Sequence, residues 1–245
     1  MQYHAHALAA HGVERFCFFS YAHKPGIARG LNAWIAAAAK TLPAGIPVGT
    51  LHAGDEEILA IVDDALDDGL AGFKFHLSVQ RFRADDARLM PVYERVAERG
   101  AFLVVHAGTM PYRDAFTGLD GFRGVMARFP TLRVIVAHMG AFDTEAFLAL
   151  TEAYPNLRLD TTMALTPRAA PYLGGAADPI PTEWLVRYQD RIMLGSDFPL
   201  IPYPYDEERS FVARRALPET VARKILYANA ARFLTGSSAS PAPAG

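Results

Sequence analysis

Cysteine is all but missing from this sequence: Cys17 is the only one in 245 residues. An internal disulfide is thereby excluded, and a reducing compartment fits. Cys17 lies in the apolar run Phe16-Cys17-Phe18-Phe19, where a packed thiol is expected rather than a nucleophile. An excess of one charge is also missing. Lys and Arg number 24 against 26 Asp and Glu, a net −2, with no long run of either sign. Electrostatic capture of nucleic acid or of an anionic membrane is therefore not expected. No apolar run reaches the ~18 residues of a membrane span, and the N-terminus lacks the basic and apolar regions of a secretory signal. The expectation is a soluble cytoplasmic protein. Extended disorder is excluded as well, because 51% hydrophobic residues build a large core.

What is present is an alternation. Apolar runs of strand length, such as Gly72 to His76, Ala101 to Val105, Leu132 to Ala137 and Leu157 to Asp160, alternate with amphipathic or Ala-rich segments such as Ile27 to Lys40 and Asp86 to Arg99. The spacing is close to the ~30 residues of a βαβ unit. It predicts a parallel sheet with helices outside it, its strands apolar on both faces. Three strand ends carry groups able to bind metal: Val105-His106-Ala107-Gly108, Ala137-His138-Met139-Gly140 and Leu194-Gly195-Ser196-Asp197. His52, His76 and Asp160 occupy further strand ends. A doubly wound sheet would place its chemistry in fewer loops. Polar groups on so many strand ends point to an α/β fold of the TIM (β/α)8-barrel type, whose mouth is built from these ends. The length suits it, since such a barrel takes about 250 residues. Only seven strands are found, and the one missing is the first. Residues 1–235 read as the barrel, and the Ser/Pro/Ala-rich 236–245 as a disordered tail.

With these residues laid out, the chain resembles the amidohydrolase superfamily, and more closely its amidohydrolase-related branch, which includes aminocarboxymuconate-semialdehyde decarboxylase. The resemblance rests on Gly72 to His76, the His106 and His138 motifs, Asn156 to Asp160, Gly195-Ser196-Asp197-Phe198-Pro199 and Lys224 to Ala230. It implies a divalent metal at the barrel mouth, zinc being the usual one. His106 would be a ligand, His138 a ligand or catalytic histidine, and Asp197 a metal-associated carboxylate and proton shuttle. It also implies a His-x-His at the end of the first strand, the strand that is absent. His4-Ala5-His6 has the right letters, but only three residues precede it. A terminal helix is the expected setting, and a late start or a truncation would account for the lost strand.

Other candidates keep two readings. His76 and His52 either bind substrate or only hydrogen-bond neighbours. Lys74 shares a strand face with His76 and serves either a substrate carboxylate or a buried ion pair. Asp160 either orients a neighbouring ligand or shapes a turn. His23, Lys24, Arg113 and Arg168, in strand-end loops, are candidates for gripping an acidic substrate. The expected activity is that of a metal-dependent hydrolase or decarboxylase (a carbon–carbon lyase) acting on a small polar or carboxylate-bearing molecule. The alternative is an inactive barrel that binds a ligand or partner. Two unpaired sheet edges also predict a homo-oligomer.

Overall fold

The computed structural model describes residues 2–109, 111, 113–173 and 180–235. The expected tail, 236–245, lies outside the described residues, as does part of the loop before Trp184. The order of elements is α1 (Gln2–Ala10), β1 (Phe16–Phe19), α2 (Ala28–Ala39), β2 (Gly45–Thr50), α3 (Ile58–Asp67), β3 (Gly72–His76), α4 (Leu77–Gln80), α5 (Met90–Glu98), β4 (Phe102–His106), α6 (Leu119–Arg128), β5 (Arg133–Val136), α7 (Thr144–Ala153), β6 (Leu157–Asp160), α8 (Thr182–Arg187) and β7 (Ile192–Met193). Short helices α9 (Asp206–Arg209) and α10 (Phe211–Arg214) follow. A last helical run comprises α11 (Glu219–Arg223), the π-turn Lys224–Ala228 and α12 (Asn229–Leu234).

All neighbouring strands are parallel and pair in sequence order, β1 to β7. Among the described residues β7 does not pair with β1, so the sheet is an open barrel of seven strands. Alternation along each strand makes two cores. Phe73, Phe75, Leu103, Val105, Val134, Val136, Leu157 and Leu159 face outward, into the layer of helices. There they meet apolar stripes at helical spacing, such as Ile61, Val62 and Ala65 on α3 and Val92, Tyr93 and Val96 on α5. Val48, Phe102, Val104, Ile135 and Met193 face inward. Cys17 and Phe19 of β1 pack against the same inner cluster as Met193 of β7, so the first and last strands curl toward each other around it. Burial pushes the Cys17 thiol up to about 12, which keeps it un-ionised.

Phe233 of α12 closes the inner cluster from the N-terminal side of the strands. Its ring meets Phe102 edge-on at 5.7 Å, Arg133 lies 4.7 Å over it, and its carbonyl accepts a hydrogen bond from Arg133.

Two residues that usually interrupt strands lie inside one: β2 starts at Gly45 and runs through Pro47. The missing N–H of Pro47 is harmless, because the ladder to β3 begins only at Gly49. The Asp55 carboxylate accepts from the N–H of Gly26 and of His52, both at 2.7 Å, and α3 starts after Glu57 with no side-chain cap.

Because Phe233 is buried against Phe102 and the inner cluster, Phe233→Ala should cost about 3–5 kcal/mol. A urea unfolding curve would show this as a lowered midpoint; a loss below about 1 kcal/mol would mean that the inner core does not need its plug.

Candidate functional site

The parallel register sets the site. His76 ends β3 and pairs in register with His106, which ends β4. Their side chains therefore emerge on the same face, and the rings stack at 4.1 Å with 10° between planes. His138 follows β5, and its ring lies 4.7 Å from that of His106. Asp197 follows β7, with Oδ2 3.7 Å from His138 Nε2. Four side chains from four strand ends thus form a continuous row, His76–His106–His138–Asp197, at the carboxyl edge of the sheet.

Backbone strain places His138. Residues His138, Met139, Gly140 and Ala141 all have positive φ, of 58°, 52°, 75° and 33°. A left-handed conformation costs a non-glycine residue roughly 1–2 kcal/mol, and such outliers gather at functional sites. Three contacts hold the turn. Asp160 Oδ1 accepts from the N–H of His138 at 3.1 Å and of Thr162 at 3.0 Å. A Cβ on Gly108 would stand 2.2 Å from the Gly140 carbonyl oxygen, so the two histidine turns pack backbone to backbone. Gly195 is as tightly placed, since a Cβ there would meet Thr162 Oγ1 at 2.4 Å and Asp160 Oδ1 at 2.7 Å. The glycines of all three motifs lie in turns with little or no room for a side chain. Asp160 therefore acts on the backbone of the His138 turn, not on its ring.

The ring is oriented by the Thr162 carbonyl, 3.2 Å from Nδ1. A carbonyl only accepts, so Nδ1 carries the proton and Nε2 of the neutral ring presents its lone pair. Asp197 Oδ2 faces it at 3.7 Å. Two lone-pair donors facing each other across that distance call for positive charge between them, either a proton or a cation. Among the described residues no three His, Cys, Asp or Glu side chains stand close enough together to hold a metal. The donor chemistry nevertheless fits one: a carbonyl that fixes the tautomer through the far ring nitrogen is how metal-binding imidazoles are held, and imidazole with carboxylate suits a divalent transition metal. His138 and Asp197 supply the two-donor edge, and His106 is next in the row.

Lys74 is 3% exposed, with Nζ 5.1 Å over the Phe19 ring. Burial pushes its pKa down, while the charges of Asp197 and then Asp160 oppose the shift. It makes no ion pair among the described residues. Burial also lowers His76, to about 4, with help from the Lys74 and His138 charges and against that of Asp197.

His52 is not brought into the row. Its Nδ1 accepts from Gly54 N–H at 3.0 Å, and its Nε2 meets the Gln80 carbonyl at 3.0 Å, so both ring nitrogens are engaged by backbone. His4 and His6 sit on α1 as the terminal-helix reading expected, His4 edge-on to Phe198 at 5.8 Å and His6 exposed. His23 and Lys24 are exposed, Arg113 lies 5.3 Å over the Phe142 ring, and Arg168 approaches Glu207.

Sequence reasoning passed over Gln80, which is 2% exposed. Its amide donates to the carbonyls of Ala22 and Leu51 and accepts from the N–H of His76, tying three strand ends together. It also passed over Glu208, buried against Tyr203, whose hydroxyl donates to it at 2.5 Å. Burial raises Glu208 to about 7 against the lowering effect of that bond. Neither residue belongs to a motif; a glutamate in an otherwise solvated acidic run, Asp206-Glu207-Glu208, gives no sign of burial.

A family model described as Amidohydrolase matches residues 4–235. The chain belongs to the amidohydrolase family. No curated protein sequence matches it significantly. Among solved structures, this amidohydrolase is similar to an uncharacterised TIM-barrel protein from Bordetella bronchiseptica, with a TM-score of 0.76 and 23% identity over 94% of this chain and 81% of that one. It is also similar to a putative 2-pyrone-4,6-dicarboxylic acid hydrolase from Pseudomonas putida, with a TM-score of 0.66 and 15% identity over 98% and 88% of the two chains. A dihydroxybenzoic acid decarboxylase from Polaromonas, with bound manganese and the inhibitor 2-nitroresorcinol, has a TM-score of 0.66 and 15% identity over 94% and 84%. These likenesses establish the barrel fold, here short of one strand. No helix among the described residues is long and apolar enough to cross a membrane.

Two measurements test the site's construction. Gly108→Ala should force the histidine turns apart, and overpacking of this kind costs about 1–3 kcal/mol; wild-type stability in that variant would show the turns to be loosely packed. The second concerns pH. Folded His76 titrates near 4 against an ordinary 6.5, so between those values the unfolded chain binds the extra proton. His76 stability is whole above pH 6.5 and drains away as the pH falls toward 4. His76→Gln should therefore flatten the acid slope of the unfolding free energy in that window, and an unchanged slope would assign it to other groups.

Proposed function

We propose that this amidohydrolase is a metal-dependent hydrolase or decarboxylase acting on a small carboxylate-bearing molecule, with zinc the metal its imidazole donors suit best. The observation that carries the reading is the facing pair His138 Nε2 and Asp197 Oδ2, fixed at 3.7 Å by strained turns at strand ends. His138 and Asp197 are the pair that would hold the cation, and His106, next in the row, is the candidate for a further ligand. When bound, it would polarise a substrate oxygen or acidify a water.

The chain's own residues supply the rest. In hydrolysis, Asp197 takes the proton of the attacking water and returns it to the leaving atom, while the Nε2 lone pair of His138 would help to hold the cation. In decarboxylation, the carbon–carbon bond breaks, its electron pair stays on the carbon that bore the carboxylate, and Asp197, entering the step in its protonated form, delivers that proton there as carbon dioxide leaves. Lys74 is placed within the barrel to attract a substrate carboxylate, and its burial keeps that charge unscreened. His76, held neutral down to about pH 4, offers a hydrogen-bonding edge and no competing charge.

Neighbours named as hydrolases and as decarboxylases support both versions, and the manganese in one of them supports a divalent cation. The alternative of an inactive binding barrel draws no support from the family match or from these neighbours. A reducing cytoplasmic setting agrees with a lone, inert Cys17. A homo-oligomer that covers the open sheet edges is part of the same proposal.

The test is turnover of a dihydroxybenzoate and of 2-pyrone-4,6-dicarboxylate with added zinc or manganese, alongside elemental analysis of the purified protein. Asp197→Asn should lower turnover by roughly 10²-fold or more, and His106→Ala should lower the metal content. Stoichiometric metal retained in His106→Ala, or full turnover in Asp197→Asn, would remove these residues from the mechanism.

A further inference from the structure

Of the acidic run Asp206-Glu207-Glu208 on α9, only Glu208 is buried, at 1% exposure. The groups that meet its carboxylate are neutral. The Tyr203 hydroxyl donates to Oε1, and the Met163 N–H lies 3.2 Å from Oε1 and 3.3 Å from Oε2. An ionised carboxylate buried without a cation is costly, and an uncharged amide oxygen could accept from the same donors. A carboxylate at this position therefore calls for a use of its charge.

The Met163 N–H belongs to the same peptide group as the Thr162 carbonyl. That peptide is trans, so its N–H and C=O lie in one plane and point in opposite directions. On the far side the Thr162 carbonyl accepts from Nδ1 of His138 at 3.2 Å. A single chain of hydrogen bonds thus runs from the buried Glu208 carboxylate, through this peptide, to the imidazole. The peptide is also strained, because Met163 holds a φ of 57°, which costs a non-glycine residue roughly 1–2 kcal/mol. Asp160 ties down the preceding peptide through the Thr162 N–H, and Glu208 ties down this one. Hydrogen bonds in series polarise one another in a low-dielectric interior. Negative charge at the N–H end makes the carbonyl a stronger acceptor, and an imidazole whose Nδ1–H is strongly accepted has a more basic Nε2.

We propose that Glu208 is a positioning residue for His138: acting through the Thr162–Met163 peptide, it locks the ring in the tautomer that shows Nε2 to Asp197 and strengthens that lone pair toward a divalent cation. Tyr203 fixes the carboxylate by its bond to Oε1. Glu208 itself touches neither His138 nor Asp197 among the described contacts, and its effect is carried by one peptide bond. This assignment rests on the proposed function for what His138 does with its lone pair, but the state of the ring belongs to the chain alone.

Nitrogen-15 NMR of histidine-labelled, metal-free protein reads the ring directly, in a buffer well above the value of about 7 to which burial raises Glu208. Wild type should show His138 with a protonated Nδ1 and a bare Nε2. Glu208→Gln keeps an acceptor for the Met163 N–H and removes the charge. Its His138 should hold the same tautomer with the Nδ1–H proton resonance moved upfield, as in a weaker hydrogen bond. Glu208→Leu removes the acceptor too, and the ring should become a mixture of tautomers. Glu207→Gln removes an equal charge one residue away and should leave the His138 resonances in place. Zinc affinity, measured by competition with a chromophoric chelator, should fall on the order of tenfold in Glu208→Gln and stay at the wild-type value in Glu207→Gln. Unmoved His138 resonances in a folded Glu208→Gln, or the same displacement in Glu207→Gln, would overturn the assignment. Resonances that move as expected in a protein that binds no zinc would support the role of Glu208 and sink the proposed function, whereas zinc binding and turnover with unmoved resonances would do the reverse.

Discussion

The bond on which the mouth of this barrel depends is an unassuming one: the Asp160 carboxylate accepting the backbone N–H of His138. Four successive residues from His138 hold positive φ, and three of them carry a side chain that disfavours it. Such a run persists only where the surroundings over-determine it. Asp160 fixes the start of the run. The Gly108 backbone presses on its middle, and Phe147 fills the space behind Gly140. The same carboxylate also holds Thr162, whose carbonyl then orients the His138 ring. One acid thus fixes both where the imidazole stands and which nitrogen it shows to Asp197.

Charge in this region follows from burial. Lys74 lies inside the barrel without an ion-pair partner among the described residues, so burial works against its proton while the nearby acids support it. An isolated buried cation is costly, and a carboxylate-bearing ligand would offset that cost. Burial raises Glu208, which sits behind Tyr203, and the charges of Asp160 and Asp197 add to the shift. The mouth therefore has a buried amine in Lys74 and a rim of lone pairs at His138 and Asp197.

Much of this was legible in the chain. Alternating apolar runs announced the parallel sheet, and strand-end polar groups announced the mouth, because both follow from local periodicity and from the rule that βα loops carry chemistry. His76 and His106 stand side by side because they share a register, while positive-φ turns beyond the strand ends bring His138 and Asp197 to them. His52 looked equivalent by the same rule, yet its ring turns onto Gly54 and Gln80, a rotamer decision that strand position does not determine. Gln80 and Glu208 were illegible for another reason. Their roles arise from contacts between loops distant in sequence, and each looks like ordinary surface polarity until the loops are brought together. Pro47 illustrates the converse: a breaker residue sits within the β1–β2 ladder and proves harmless because the ladder to β3 begins only at Gly49.

The open edge of the sheet bears on the site as well. Helix α1 buries only Leu8, too little apolar surface to anchor it by itself. Polar and aromatic contacts hold it to the segment after β7. His11 Nδ1 lies 2.7 Å from Asp206, its ring packs on Tyr205, and Arg209 donates to its carbonyl. His4 meets Phe198, and Phe198 also meets Tyr205. Phe198 adjoins Asp197, so the helix that precedes β1 leans directly on the loop that presents the proposed proton carrier. In a closed barrel, hydrogen bonds between the first and last strands would steady that loop. Here the aromatic contacts of His4 and His11 do so, and the position of Asp197 is coupled to a helix that is itself lightly held.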